Sequence, residues 1–204
     1  MGVAAEGTFA SLYDVFFDGV LKPIRHKNLE IIQRCHCENI IDLGCGTGSQ
    51  CRVLTNNGLT VVGLDNSERM LTVAKKKDVN KTRFILGNIM KNDFSDGSFD
   101  CAIITLVLHP NDENMIQRIL SEAKRLTKKN GIVIITDYDY GNHFKGKIAS
   151  TFIRFIESMA NESHRTNYKG FMKKGGLKDI LTTEKYTILE SYSLYDNALR
   201  ICVI

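Results

Sequence analysis

Residues 40–50, IIDLGCGTGSQ, decide how this chain is read. Apolar residues surround one acid, Asp42, and three glycines then fall on alternate positions, Gly44, Gly46 and Gly48. The pattern predicts a buried strand that leaves its sheet through a loop stripped of side chains. In open α/β sheets, ligands bind beyond the carboxyl ends of the strands, beside the point where strand order reverses. Glycines there let backbone come close to a ligand and take conformations that a side chain forbids. The loop is not the phosphate loop of nucleoside triphosphatases, because no Gly-Lys-Ser/Thr follows. It also departs from the dinucleotide pattern G-x-G-x-x-G: Ser49 holds the sixth position, and the third glycine comes one residue early.

Outward from this loop, strands and helices alternate. Residues 39–44 read as a first strand, and residues 48–57 as a helix ended by Asn57-Gly58. Residues 59–65 form a second strand, and Ser67 can cap the next helix by accepting an orphan amide. Residues 83–87 are a third strand and 99–108 a fourth. Residues 111–129 read as an amphipathic helix, with Met115, Ile119, Ala123 and Leu126 at helical spacing and Asn130-Gly131 as its stop. Residues 132–139 are a fifth strand. Near-continuous apolar strands between helices predict a parallel sheet covered on both faces.

Residues 9–35 read as helix in two pieces, broken near Pro23. After residue 140 the pattern changes. Residues 147–160 read as an amphipathic helix, and LKDILTTE as another, introduced by Gly175-Gly176. The tail reads as two strands with a tight turn at Asp196-Asn197, a hairpin that closes the sheet. The expected fold is α/β and doubly wound: a mostly parallel, seven-stranded sheet with a C-terminal antiparallel hairpin and an N-terminal helical cap. It is expected to be one domain over 1–204, with the cap at 1–37, a core at 38–139, a helical insertion at 140–184 and the hairpin at 185–204.

Of the 204 residues, 43% are hydrophobic and 25% charged, which suits a single globular domain. No apolar run approaches the ~18 residues that a membrane helix needs. The N-terminal stretch lacks the basic start and apolar centre of a secretory signal, and Gly2 does not begin a myristoylation pattern. The net charge of +4 is a mild excess. Its basic runs, Lys75-Lys76-Lys77, Lys128-Lys129 and Lys173-Lys174, are short and scattered. They read as solvated residues, two of the runs at helix C-termini, and nucleic acid is not expected as a partner. Six cysteines suit a reducing, cytoplasmic setting, because a chain this rich in apolar residues does not need cross-links. Cys101 and Cys202 read as small core residues. Cys35-His36-Cys37 lacks a second ligand pair at zinc spacing, so no metal is expected.

Two acids define the ligand. Asp42 stands two residues before the first glycine and faces whatever fills the loop. A pyrophosphate would be repelled there, and an ammonium attracted. Asp65 ends the second strand, where a carboxylate can take both hydroxyls of a ribose. The implied ligand has a ribose and a positive charge but makes no demand for phosphate.

The blocks IIDLGCGTG, VVGLDNSERML, GNIMKNDFSDGSFDCAIITLVL and LTKKNGIVIITDYD, in this order, resemble the class I S-adenosylmethionine-dependent methyltransferases. More narrowly they resemble the small members related to the ubiquinone/menaquinone methyltransferases. The match covers roughly residues 39–139, and the hairpin tail also fits this Rossmann-like fold. The resemblance implies S-adenosylmethionine as cofactor and S-adenosylhomocysteine as product. It places Gly44, Gly46 and Gly48 under the methionine part, Asp42 at the amino group and Asp65 at the ribose. Asn66 and Met70 would border the adenine, with Ile89 and Thr105 completing the cofactor set. Position 88, where the family usually has Asp, is Asn88; its oxygen can still accept from the adenine amine, and its amide can donate to a ring nitrogen. The family's turn before the fifth strand appears here as LTKKNG.

For the acceptor side, the resemblance points to Tyr13, His109, Tyr138, Tyr140 and His143. His109 and Tyr13 are the catalytic candidates, and His164 and Tyr168 belong to a possible lid. Each has ordinary packing as its alternative. The implied reaction is direct in-line displacement at a methyl carbon, which needs a base only if the nucleophile arrives protonated. The residues after the fourth strand, LHPND, lack the Asn/Asp-Pro-Pro-Tyr/Phe run of amine-methylating DNA enzymes, and no carboxylate cluster for a catechol-type metal is evident. The expected partner is a small-molecule acceptor, the expected chain a monomer or homodimer without a membrane span. A non-catalytic cofactor-binding module and a nucleotide-dependent oxidoreductase stay open as alternatives.

Overall fold

The five apolar strands of the core form β1 (Asn39–Leu43), β2 (Thr60–Asp65), β3 (Arg83–Leu86), β4 (Phe99–Thr105) and β5 (Thr127–Tyr138). The computed structural model describes Gly19 and residues 21–79, 82–140 and 162–204. All five strands run parallel, in the order β3-β2-β1-β4-β5. From β1 the chain moves one way through β2 to β3, then returns to the other side of β1 for β4 and β5. Right-handed crossovers therefore put α2 (Ser49–Thr55) and α3 (Glu68–Lys77) on one face and α4 (Glu113–Leu126) on the other. Strands covered on both faces need no alternation: Ile40, Ile41, Leu43, Ile103 and Ile104 are all fully buried. The reversal of strand order lies between β1 and β4, so the glycine loop opens beside the end of β4.

Before the sheet, residues 21–34 form α1. Pro23 does not break it. After the core come α5 (Glu162–Lys173) and α6 (Leu177–Thr183), then β6 (Glu190–Leu194) and β7 (Leu199–Val203). β7 lies antiparallel against β5, and β6 forms the edge. The hairpin turn is built from Tyr195, Asp196 and Asn197, all at positive φ; Asp and Asn tolerate that region well. The sheet thus has seven strands, mostly parallel, as expected. The helix expected at residues 147–160 lies outside the described residues.

The start of β5 corrects the sequence reading. α4 ends at Leu126, not at Asn130-Gly131. Thr127 caps it, its hydroxyl donating to the Ala123 carbonyl at 2.7 Å. Residues 127–131 already belong to β5, Thr127 pairing with Phe99 before a bulge shifts the register. Gly131 is there for space. A Cβ on it would stand 2.5 Å from the Asp100 carbonyl oxygen and 2.5 Å from Thr127 Cγ2. Lys128 and Lys129 consequently sit on a strand, where Lys128 pairs with Asp100 at 2.6 Å, not at a helix terminus. β4 is shorter than residues 99–108. It stops at Thr105, because Leu106 turns out of the strand at φ 57°.

Candidate cofactor and acceptor site

A cleft of about 650 Å³ opens at the strand-order reversal. Its floor is the glycine loop. Gly44, Gly46 and Gly48 all have positive φ, which only glycine adopts freely. Gly44 is also pressed by Val107, whose Cγ2 would lie 2.5 Å from an added Cβ. Gly46 faces open space on the cleft, with nothing within 4 Å of an added Cβ. Gly48 is not on the cleft wall. It lets Phe84 and Ala74 close beneath the loop, at 2.6 and 3.1 Å from an added Cβ.

The two acids flank this loop. Asp42 sits in mid-sheet, beside Gly63 on β2 and Ile103 on β4. It is 2% exposed, yet it lines the cleft. Burial pushes its carboxyl up to about 7. The Cys51 thiol, donating to Oδ2 at 3.3 Å, opposes that rise, and the Asp65 carboxylate adds to it. A Cys45 hydrogen bond and burial in turn push the Cys51 thiol well above the ordinary cysteine range. Asp65 also lines the cleft, but its carboxylate is engaged on both oxygens. Gly46 N donates to Oδ2 at 2.7 Å and Ser67 N to Oδ1 at 2.8 Å. The acid thus fastens the glycine loop to the entry of α3. Each oxygen keeps a lone pair for a further donor.

Asn66, Met70, Asn88, Ile89 and Thr105 line the same cleft. Asn88 is exposed, and its Oδ1 accepts from Met90 N at 2.9 Å in a local turn. The Thr105 hydroxyl is buried without a hydrogen-bond partner. Sequence reasoning missed most of the opposite wall. Arg25 comes from α1, Gln50 from α2, Leu106, Asn111 and Met115 from the β4–α4 segment. For Gln50 a signal existed, since it lies two residues past Gly48. Nothing in the sequence marks Arg25, which reaches the cleft only because α1 lies across α2. His164 of α5, read from sequence only as part of a possible lid, also lines the cleft.

The acceptor-side candidates scatter. Tyr13 and His143 lie outside the described residues. Tyr140 is 61% exposed and is not part of the wall. His109 and Tyr138 are buried behind the cleft. His109 Nδ1 lies 2.8 Å from Asp137 Oδ1, and the same carboxylate accepts from the amides of Leu108 at 2.9 Å and Tyr138 at 2.8 Å. The His109 ring lies tilted against Tyr138, centroids 4.5 Å apart, and neighbours His164 at 5.3 Å and Tyr168 at 6.1 Å. This cluster joins the β4–α4 loop, β5 and α5 into one backing for the wall that carries His164. Among the described residues, no group of three or more His, Cys, Asp or Glu is placed to hold a metal. No described helix is long and apolar enough to cross a membrane.

The residues present fit S-adenosylmethionine. A buried acid meets an ammonium, a second acid keeps acceptor capacity for ribose hydroxyls, and Gly46 leaves the backbone open. Buried, unpartnered Gln50 Nε2 and Thr105 Oγ1 also lie on residues of the same wall. Comparison with known proteins agrees. Residues 41–135 match the family described as Methyltransferase domain. A demethylmenaquinone methyltransferase of Thermotoga maritima is 32% identical over 134 residues, 64% of this chain and 57% of that protein. The chain thus spans a little over half the length of that relative. The PH0226 protein of Pyrococcus horikoshii has the same fold, at a TM-score of 0.67, 20% identity, and coverage of 94% of this chain and 89% of the other. So does a Burkholderia thailandensis 1,6-didemethyltoxoflavin N1-methyltransferase solved with S-adenosylhomocysteine, at 0.60, 14% identity, and coverage of 97% and 84%.

Proposed function

We propose that the chain is a class I S-adenosylmethionine-dependent methyltransferase that transfers a methyl group to a small-molecule acceptor, a reading supported by the family match over residues 41–135, the demethylmenaquinone methyltransferase relative and the shared fold. The observation that carries this reading is the pair of acids on the glycine loop. Asp42 suits an ammonium and Asp65 a ribose, and Asp42 would repel a pyrophosphate laid along the same loop. When bound, S-adenosylmethionine supplies a methyl group on a sulfonium, open to in-line displacement. The chain's part is to hold and to shield. Asp42 and the glycine loop take the amino-acid end, Asp65 the ribose, and Asn66, Met70, Asn88 and Ile89 the adenine.

The acceptor side is mostly apolar, with Leu21, Ile24, Leu106, Val107 and Met115 on its wall and His164 and Asn111 among its polar groups. That composition supports a small organic acceptor, since a displacement site gains from excluding water. His164 is the side chain best placed to orient it. The modest charge argues against nucleic acid. The proposal extends to a cytoplasmic monomer or homodimer, whose apolar core is large enough to hold the fold without cross-links.

The test is a thermal-shift comparison. S-adenosylhomocysteine at a hundredfold excess over a micromolar Kd should stabilise by about 2.7 kcal/mol, a melting rise of about 5–10 °C for a domain of this size. NAD should give none. Equal stabilisation by NAD, or none by either adenosyl ligand at millimolar concentration, would refute the reading. Transfer of a labelled methyl group to any acceptor then separates an enzyme from a module that only binds.

A further inference from the structure

Two thiols lie against the cofactor cleft. Cys45 stands inside the glycine loop, between Gly44 and Gly46, and Cys51 follows on α2, with five residues between them. Their side chains meet over the sheet. Asp42 on β1 is paired with Gly63 on β2, and residues paired in this way face the same side of the sheet. Cys45 Sγ covers Gly63, 2.9 Å from where a Cβ would stand, so the bare glycine makes room for it. Cys51 Sγ covers Asp42, donating to Oδ2 at 3.3 Å. The two sulfurs thus converge on adjacent positions of one face, in hydrogen-bond contact with each other. Both are free thiols. Cys51 is fully buried, whereas Cys45 lines the cleft and is 9% exposed.

An accessible thiol, a second thiol behind it and a proton acceptor beside the second are what disulfide formation requires. We propose that Cys45 and Cys51 form a reversible oxidation site, which a hydroperoxide closes to a disulfide and which weakens the cleft for its cofactor. The peroxide O–O bond breaks at Cys45. One oxygen passes to Sγ as a sulfenic acid, and the other leaves with a proton as water or an alcohol. Cys51 Sγ then attacks the Cys45 sulfur. Its proton passes to the Asp42 carboxylate and on to the departing hydroxide, which leaves as water. The new S–S bond costs Asp42 its thiol donor, so the acid that meets an ammonium becomes harder to ionise. It also ties Gly44 and Gly46, both at positive φ, to the first turn of α2. The ring it closes is short, and short rings gain least from a cross-link, which suits regulation more than folding. Closure itself does not depend on what the cleft holds; its effect on affinity rests on the cofactor reading above.

Tandem mass spectrometry of the whole chain after hydrogen peroxide tests this. The mass should fall by two hydrogens, fragmentation should place the bond between Cys45 and Cys51, and dithiothreitol should reverse it. Cys37 and Cys101, a second thiol pair in contact but at the far end of β1, should stay reduced. S-adenosylhomocysteine bound beforehand should slow the closure by covering Cys45. Calorimetry should find affinity for S-adenosylhomocysteine about tenfold weaker after peroxide and restored by reduction. Cys45→Ser and Cys51→Ser, each compared with itself before and after peroxide, should lose that response. A disulfide elsewhere, Cys45 carried to sulfinic acid without one, or an undiminished response in Cys51→Ser overturns the site. A mapped disulfide that leaves affinity unchanged overturns the switch. A reduced wild-type chain that does not bind S-adenosylhomocysteine overturns the cofactor reading instead, and the mapped bond still decides the oxidation site.

Discussion

Cofactor affinity should depend on pH through Asp42. In the free protein, burial raises this carboxyl to about 7, so the proton-bound form is favoured well above the ordinary carboxylate range. Stability contributed by that proton is full at acid pH and is lost as pH rises through the folded value. A ligand ammonium reverses the preference, because it favours the ionised acid. Binding must then release a proton wherever Asp42 starts out protonated. With a free value of about 7 and a bound value far lower, moving from about pH 8 to about pH 6 takes the protonated share from about a tenth to about nine tenths. Affinity should fall about tenfold, or ~1.4 kcal/mol, across that interval. Calorimetry in two buffers of different ionisation heat counts the protons: about 0.9 released at the lower pH and about 0.1 at the higher. The groups facing Asp42 are Cys51 and Asp65. Cys51→Ala removes the thiol that opposes the rise, so the midpoint should move to higher pH. A flat affinity with no proton release would refute the reasoning, as would the same slope in Asp42→Asn.

Asp65→Ala should lose at least about tenfold in S-adenosylhomocysteine affinity and also destabilise the free chain by about 1–3 kcal/mol, because the Gly46 and Ser67 amides lose their acceptor. Chemical denaturation and calorimetry read the two effects separately, and an unchanged free stability would show that the fastening is idle. Gly131→Ala should cost about 1–3 kcal/mol, read as a lower melting temperature with cofactor affinity kept, since its Cβ would strike Asp100 at the β4–β5 bulge; a neutral result would remove the spatial reason for that glycine. His109→Ala should cost about 1–3 kcal/mol by leaving buried Asp137 short of a donor, with S-adenosylhomocysteine affinity changed less than about threefold, whereas a selective loss of binding would bring His109 forward as a cleft residue. S-adenosylhomocysteine should slow amide exchange in α5, which carries His164 on the wall and Tyr168 against His109, more than in β1 or β4; equal slowing in all three would dismiss α5 as a moving cover.

Much of the core was legible because its physics is local. Buried parallel strands write themselves as apolar runs, Ser67 announces its cap, and the three alternate glycines announce the loop. The register of β5 was not legible. Asn-Gly is a common helix stop, and only the neighbouring Asp100 carbonyl shows why Gly131 is needed in a strand. Asp42 was singled out by its distance to the first glycine, which the chain itself fixes, and Asp65 by its place at the end of the second strand. Asp65's second duty, holding two backbone amides, depends on how the loop folds back. Arg25 was invisible because α1 is separated from the loop by the whole of β1, and helix crossing has no sequence period. His109 carried a misleading signal: a histidine just past a strand end suggests chemistry, but the turn at Leu106 sends its ring behind the wall to Asp137.

The fastening by Asp65 also limits how this scaffold can change over time. In many nucleotide sites, preference can drift by replacing the acid that reads the ribose, since that residue does little else. Here the same carboxylate closes the loop onto α3, so a replacement that altered ligand choice would release the backbone in the same stroke. A shift in ligand would need at least one earlier, compensating change in residues 44–48. Asp65, the proposed ribose reader, is therefore the position at which this site should diversify most slowly. New acceptors should arise instead on the wall contributed by α1, the β4–α4 segment and α5, where side chains meet the cleft without holding the sheet together.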